Sequence, residues 1–587
     1  MLNILAAFAP FRVDLTDEKR YTLSPATRKL LEKIEEPVTI DILLKGEFPA
    51  VFKKLQNSTS DLLQEMQRYS GNKLLIKFTD AQDLISENQK EILFTNYLTQ
   101  MRAMGYAVDS MIKIKPEFEE RYKERLISDS LQSLGIMPYN LQVQQKENEQ
   151  TQRIIFPAAI VTYKGNIIPI DLLSGKTEYT RDPVSGRLAL DEAKSIANAE
   201  ALLEFQFAAA IDKIQRKSKP AIGYLVGNGQ PMGPETYDLV QTLESDYRFS
   251  IFDLNKYDYI PTDLAALLIV KPSIGFTDSS KLKLDQYVMN GGKIFWMLDM
   301  LHAEKDSLAI QAQTLAYDRN LQLDDLLFRY GVRINRDLLQ DQQCDLTKMV
   351  VGNAGGQPQL ADVPFNYYPL LQNSGTHPIT KNLEPVLAQF VNTLDTVETK
   401  EVNKFILLHS SENAKTISTP ALISLQELQT ISNPELYKLK NKPVAVLTEG
   451  NFTSLFANRA SGEQKAKFTS YYGDFLSKSK FTQQIIVSDG DIVLNTYTQR
   501  EPFPMGLSRA QERTFANKLF LQNCLEYLTG NSDIIKLRNK EITVRLLNKQ
   551  KLEEDKSFWQ IIIVGLPLLL VALGWFIYNA IRKKQYQ

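Results

Sequence analysis

The hydrophobic pattern along this chain changes period repeatedly, and each change marks an element. Residues 38–44 (VTIDILL) form a β-rich run after Pro37. Residues 48–69 then carry Phe52, Leu55, Leu62, Leu63 and Met66 at helical spacing, ending at Gly71. A second strand is expected at 74–78 (LLIKF) and a second helix at 87–104, stopped by Gly105. Residues 116–128, rich in Glu, Lys and Arg, read as a solvated helical face. Strands follow at 141–145, 154–163 and 167–172, the last two joined through Lys164, Gly165 and Asn166. A helix over 191–215 closes this first unit, with Ala199, Leu202, Leu203, Phe205 and Ala209 on its apolar face.

From Pro220 a second α/β pattern begins. Apolar runs at 221–226 (AIGYLV), 264–270 (LAALLIV) and 293–298 (KIFWML), with a strand at 249–254, alternate with helices at 235–247 and 279–289. Uninterrupted apolar strands between helices predict a parallel sheet covered on both faces. Further strands are expected at 443–447 and 484–487, and a helix at 509–528. Residues 340–439, with Gly355, Gly356, Pro358 and Pro364, are poorer in periodic signal and read as an insertion or long excursion. Gly291 after Asn290 and Gly331 after Tyr330 read as helix ends.

Near the end, residues 561–578 run IIIVGLPLLLVALGWFIY without a charge. At about 1.5 Å per residue this run and its flanks reach across a hydrocarbon core of roughly 30 Å. Trp559 stands before Ile561, and Trp575 and Tyr578 close the run, where interfacial aromatics belong. Its Leu, Ile, Val and Phe side chains favour insertion by roughly 4 to 7 kcal/mol in sum. Pro567 is tolerated in a spanning helix. A transmembrane helix over 558–581 is therefore expected; the alternative, a buried core helix, would need a protein shell on every side. Arg582, Lys583 and Lys584 follow as a basic tail, while Arg545, Lys549, Lys551 and Lys556 precede the span. Charge therefore favours an outside body only modestly. Residues 1–13, containing LNILAAFAPF, read as the end of a longer N-terminal span, with a short interfacial or core segment as the alternative. The expected division is 1–13, 14–218, 219–548 and 549–587.

Composition removes several classes of function. The 587 residues hold 68 Lys and Arg against 69 Asp and Glu, so no basic surplus exists to bind nucleic acid. Cys344 and Cys524 form no CxxC pair, and His302, His377 and His409 lie in separate segments, so neither a metal nor another cofactor is expected. The β-α-β-α-β-β-α order of 14–218 resembles a thioredoxin-like fold, with Pro157 before a strand. That segment holds no cysteine, which excludes thiol–disulfide exchange there.

The motif GNGQPMG lies between a strand and a helix, where phosphate-cradling loops occur. Its spacing is GxGxxxG, Pro231 removes one amide donor, and GxxxxGK[ST] occurs nowhere, so a structural turn is the favoured reading. If a ligand binds, Gly227, Asn228, Gly229, Gln230 and Asp299 at the strand ends would line its site. Asp489 and Asp491 flank Gly490 after another strand. They offer cation or acid–base chemistry, and an Asp-Gly turn is the blander reading. Ser273 has no GxSxG around it, so nucleophilic catalysis has no support.

Several long phrases occur together in order: FRVDLTDEKRYTLSPATRKLL, EEPVTIDILLKGEFPAVFKKL, GYLVGNGQP, LKLDQYVMNGGKIFWMLD and LLFRYGVRINRDLLQD, followed by the C-terminal span. This order resembles the ABC-transporter auxiliary proteins, and within them the gliding-motility-associated GldG components of Bacteroidota. The resemblance implies a non-enzymatic protein of the bacterial inner membrane, with most of the chain periplasmic. It implies as partners the permease GldF and the ATPase GldA of the same complex, beside the lipid bilayer. It also implies a role in gliding motility and the associated secretion or surface machinery. Relatives often read Gly-His-Gly-Glu where this chain has Gly227, Asn228, Gly229 and Gln230. The second unit also looks like the class I glutamine-amidotransferase folds, without a counterpart of their nucleophilic cysteine. The expected fold class is therefore α/β: a thioredoxin-like N-terminal domain, a doubly wound amidotransferase-like sheet and a C-terminal transmembrane helix. Two rivals remain, a periplasmic substrate-binding module and a periplasmic hydrolase using Asp299, Asp489 or Asp491.

Overall fold

The computed structural model describes residues 22–84, 86–103, 125–132, 134–146, 149–181, 188–354, 357–426, 433–498, 501–530, 532–539 and 556–585. The expected segment 1–13 and most of the charged stretch 116–128 lie outside the described residues. The chain divides into two compact units, Met1–Glu541 and Ile542–Gln587.

In the first unit, β1 (Val38–Ile42) and β2 (Leu74–Phe78) pair in parallel. The helix Ala50–Tyr69 makes the crossover between them, burying Phe52, Leu55, Leu63 and Met66. β3 (Tyr139–Lys146) and β4 (Glu149–Ile155) form a hairpin of their own. β5 (Ala158–Tyr163) then runs antiparallel to β1, and β6 (Asn166–Asp171) antiparallel to β5. The expected single strand 154–163 is thus two strands, broken at Pro157, because a proline has no N–H for the ladder. Between β5 and β6 only Lys164 and Gly165 remain, with φ of 50° and 81°. Two successive left-handed residues are the signature of a two-residue hairpin turn. β7 (Tyr179–Arg181) and β8 (Leu188–Leu190) make a further hairpin before the long helix Glu192–Gln215.

The second sheet begins with β9 (Ala221–Val226), β10 (Arg248–Asp253), β11 (Ala266–Val270) and β12 (Ile294–Met297), all parallel. Every residue of β11 is buried. Ala266, Leu268 and Val270 join a core with Phe520, Leu521 and Leu525 of the helix Asn517–Thr529. Leu267 and Ile269 join another with Leu282, Val288 and Met289 of the helix Asp278–Met289. Helices on both faces are why the strand carries no polar alternation.

Smaller strands follow: β13 (Leu301–His302), β14 (Gln313–Asp318), β15 (Val332–Ile334) and β16 (Asp337–Asp341). Then β17 (Cys344–Ala354) and β18 (Gln357–Asn373) form a long antiparallel pair. β19 (Val386–Leu387), β20 (Leu394–Thr396), β21 (Val402–His409), β22 (Ala414–Ser418) and β23 (Ala421–Ser424) precede β24 (Pro443–Gly450) and β25 (Thr482–Val487). The main path through the sheet is β10-β9-β11-β12-β25-β24-β21-β18-β17. Only its first five strands are parallel; β24, β21, β18 and β17 continue it antiparallel.

This corrects two expectations. The sheet is mixed rather than wholly parallel, and residues 340–439 are no mere excursion, since β17, β18 and β21 extend the sheet itself. Their alternation is broken by register shifts at Cys344/Leu346 and Val350/Gly352 in β17 and at Ile406/Leu408 in β21. A shift of one residue exchanges inward and outward positions, which erases the period-two signal. The expected helix 509–528 starts only at Asn517, because β26 (Leu507–Ser508) and β27 (Arg513–Thr514) form a hairpin first.

The end of this unit is fastened to the helix Glu192–Gln215. Ile534 and Ile535 pack on Phe205, Ala208 and Ala209. Arg538 is buried, stands 5.0 Å above the Phe205 ring and donates to Asn523 Oδ1. Burial lowers the Arg538 pKa to about 10 against the attraction of Glu526. A buried cation with so few partners costs desolvation that its contacts offset poorly, whereas its stem fills space. Arg538→Met is therefore expected to unfold in urea within about 1 kcal/mol of wild type or later, and Arg538→Ala to lose roughly 2–4 kcal/mol through the cavity left behind.

The second unit contains the helix Lys556–Gln585, with Pro567 inside it. Its segment Phe558–Asn579 is long and apolar enough to cross a membrane, and none of it is buried. The core-helix alternative thus lacks the surrounding shell it requires. Trp559, Ile561, Trp575 and Tyr578 are exposed, and Arg582, Lys583 and Lys584 fall in the last turns.

Candidate functional site

The chemistry of the first unit concentrates at the carboxyl ends of β11, β12 and β25, the edge where open α/β sheets bind ligands. Lys271 follows β11, Asp299 follows β12, and Asp489 and Asp491 follow β25. One carboxylate oxygen from each of the three aspartates lies within 4.8 Å of the others. Lys271 Nζ donates to Asp491 Oδ1 and Oδ2 at 2.7 and 2.8 Å and to Glu304 Oε2 at 3.2 Å. It stands 3.5 Å from Asp299 Oδ2. Arg319, also buried in its side chain, binds the other oxygen of Glu304 and the Leu301 carbonyl.

The loops are shaped to permit this approach. Lys271 has φ of 41°, and its amide donates to the Met297 carbonyl at 2.8 Å. Gly490 lies so close that a Cβ there would meet Lys271 Cβ at 2.6 Å. The Gly490 amide donates to Asp299 Oδ1. Both oxygens of Asp489 accept amides, from Gln389 at 2.9 Å and from Asp491 at 2.7 Å.

Electrostatics separates three of the acids, Asp299, Asp489 and Glu304. Burial raises Asp299 to about 6, against the pull of Lys271 and with the repulsion of Asp491. Asp489 is held well above the usual carboxylate range by burial and by repulsion from Asp299 and Asp491. Burial would raise Glu304 too, but Lys271 and Arg319 hold it below its ordinary value. Lys271 itself is pulled down by burial and pushed up further by Asp491, Asp299 and Glu304, remaining an ammonium. The three aspartates have the oxygen donors that a hard cation takes. Here Asp491 and Asp299 face the Lys271 ammonium, which ties three strand-end loops together.

The glycine loop is a separate arrangement. Gly227 and Gly229 have φ of 111° and 72°. The Asn228 amide donates to Gln230 Oε1, and its carbonyl accepts the amides of Ser273 and Ile274 at 2.9 Å each. Ser273 Oγ donates to the Gly229 carbonyl at 3.0 Å, and Tyr224 OH to that of Pro231 at 2.7 Å. Most polar groups of the turn are thus engaged within the protein. Asn228 Oδ1 and Gln230 Nε2 are buried without a hydrogen-bond partner. Among the described residues, no hydrogen bond or ion pair links Asn228 or Gln230 to Asp299. The structure brings Asp299 to Asp489 and Asp491, and Ser273 to Gly229; it does not join the two groups.

Sequence reasoning passed over Lys271, Glu304 and Arg319. Lys271 had one signal, a cation directly after the apolar strand LAALLIV. Glu304 and Arg319 had none, being placed by the small β13–β14 pair. His377 is buried, which lowers its pKa to about 4.

Fold and site thus define a mixed α/β protein whose strand-end acids are internally paired, followed by a C-terminal apolar helix of membrane-anchor type. Residues 219–524 match the model of the family described as "ABC-type uncharacterized transport system", the ABC-transporter auxiliary family. The chain belongs to that family, and has an auxiliary role in an ABC transport system. Residues 17–162 match a domain of unknown function, DUF7088. No curated protein matches the chain. Among solved structures, one titled "mmIFT52 N-terminal domain" is similar over 53% of this chain and 98% of its own. Its identity is 12% and its TM-score 0.28, a likeness too weak to define the fold.

Proposed function

We propose that this chain is a non-catalytic, membrane-anchored subunit of the gliding-motility type, working beside the permease GldF and the ATPase GldA. In this reading it sits in the bacterial inner membrane with its bulk in the periplasm. It follows, or gates, the permease cycle mechanically, while the ATPase supplies the energy. The observation that carries the reading is the family match over 219–524. The unburied apolar helix and the internally paired acids support it. The parallel β1–β2 pair flanked by antiparallel β5 and β6 supports a thioredoxin-like scaffold. The five parallel strands support an amidotransferase-like half-sheet. The test is affinity purification of the tagged full chain from detergent-solubilised native membranes. Permease and ATPase are expected together in the eluate; an eluate lacking both overturns the reading.

A hydrolase is the second reading, favoured by the convergence of Asp299, Asp489 and Asp491. Against it stands Lys271, whose ammonium already engages Asp491 and Glu304 in a mostly buried position.

A further inference from the structure

A cavity of about 830 Å³ opens elsewhere on the first unit. Its lining includes four arginines, Arg329, Arg333, Arg336 and Arg459, against two acids, Asp324 and Asp325. The size falls in the range of small-molecule sites. Local structure explains the gathering. The short helix Asp324–Arg329 brings Arg329, β15 brings Arg333, the turn between β15 and β16 brings Arg336, and the segment after β24 brings Arg459.

Both lining acids are already engaged. Arg336 donates to both oxygens of Asp324 at 2.5 and 2.7 Å, and to Asp318 at 2.8 Å. Asp325 accepts Lys281 Nζ at 3.1 Å on each oxygen, and Arg459 at 3.3 Å. Arg333 is held by Asp395 at 2.7 Å. Arg329 is exposed and has no hydrogen-bond or ion-pair partner among the described residues. A guanidinium carries five N–H donors in a fixed fork, so the single contact of Arg333 and the three of Arg336 orient each group and still leave donors over. Forks of this kind match carboxylate and phosphate oxygens two at a time.

We propose that this cavity binds a small polyvalent anion of phosphate or carboxylate type, gripped by Arg329, Arg459 and the spare N–H groups of Arg333 and Arg336. The site is independent of the carboxylate cluster and of the transport reading.

The test is isothermal titration of the full-length chain in detergent with inorganic pyrophosphate and, separately, with citrate. Saturable binding of either is expected, and the two arms tell the phosphate source from the carboxylate source. The double variant R329Q/R459Q should lose at least about tenfold in affinity. Its melting temperature should stay unchanged, since Arg329 has no hydrogen-bond or ion-pair partner among the described residues and Arg459 is largely exposed. R329K should fall between the two, a point charge replacing a fork. Three results overturn the proposal: no saturable heat from either anion at millimolar concentration, equal affinity in the double variant, or equally tight binding of neutral maltose.

Discussion

Lys271→Met is expected to lose roughly 3–5 kcal/mol of unfolding free energy at neutral pH, because it removes the cation from a buried ion cluster and leaves the acids unpaired. Asp299 and Asp491 would then face each other across a site with Arg319 as the remaining nearby cation. The pH dependence follows from the raised acids. Asp299, at about 6, and Asp489, held well above the usual carboxylate range, bind protons more tightly folded than unfolded. Their contribution to stability is fully present below the ordinary carboxylate pKa of about 4 and is lost as pH rises through the folded value. Lys271 lowers Asp299 in the wild type, so its removal raises Asp299 further and moves the loss to higher pH. The deficit of Lys271→Met should therefore shrink as pH falls toward about 4. Urea unfolding across that range, followed through the buried Trp296 on β12, reads both effects. A variant as stable as wild type at pH 7 would mean that the ammonium is no latch.

The other large effect belongs to the C-terminal helix. Leu569 and Leu570 lie in the middle of the exposed apolar segment Phe558–Asn579. An arginine at the centre of a spanning helix costs about 2.5–3.5 kcal/mol, so Leu569→Arg with Leu570→Arg costs roughly 5–7 kcal/mol. That cancels the roughly 4–7 kcal/mol by which the apolar side chains favour insertion. The share of protein that resists alkaline carbonate extraction should fall from nearly all to a minority. Retention equal to the parent would show that this helix is not what holds the protein to lipid.

These two experiments probe features of unequal visibility in the sequence. The spanning helix is a local property: one uninterrupted run, long enough to compare with a bilayer. β9 and β11 were legible for a related reason, since burial on two faces leaves a continuous apolar run. The turn before β6 was legible from Gly165 and Asn166, residues that tolerate left-handed backbone, but the two left-handed positions are Lys164 and Gly165, with Asn166 already in β6. The break at Pro157 was visible as a residue and misread as continuous strand; the missing N–H ends the ladder there.

The carboxylate cluster belongs to the other kind. Asp299, Asp489 and Asp491 were each noticed beside a strand end, yet nothing local said that β12 and β25 are neighbours. That adjacency decides whether three turn residues stay three turns or become one buried group. It also brings Lys271, whose φ of 41° and closeness to Gly490 exist only once the strands are paired. The antiparallel half of the sheet escaped for the same reason, with register shifts hiding its alternation. By itself, then, the sequence determined what each segment prefers to be, the apolar anchor and the α/β alternation above all. Only the tertiary structure decided which segments lie side by side, because strand pairing and charge compensation join residues far apart in the chain, beyond the reach of short-range periodicity.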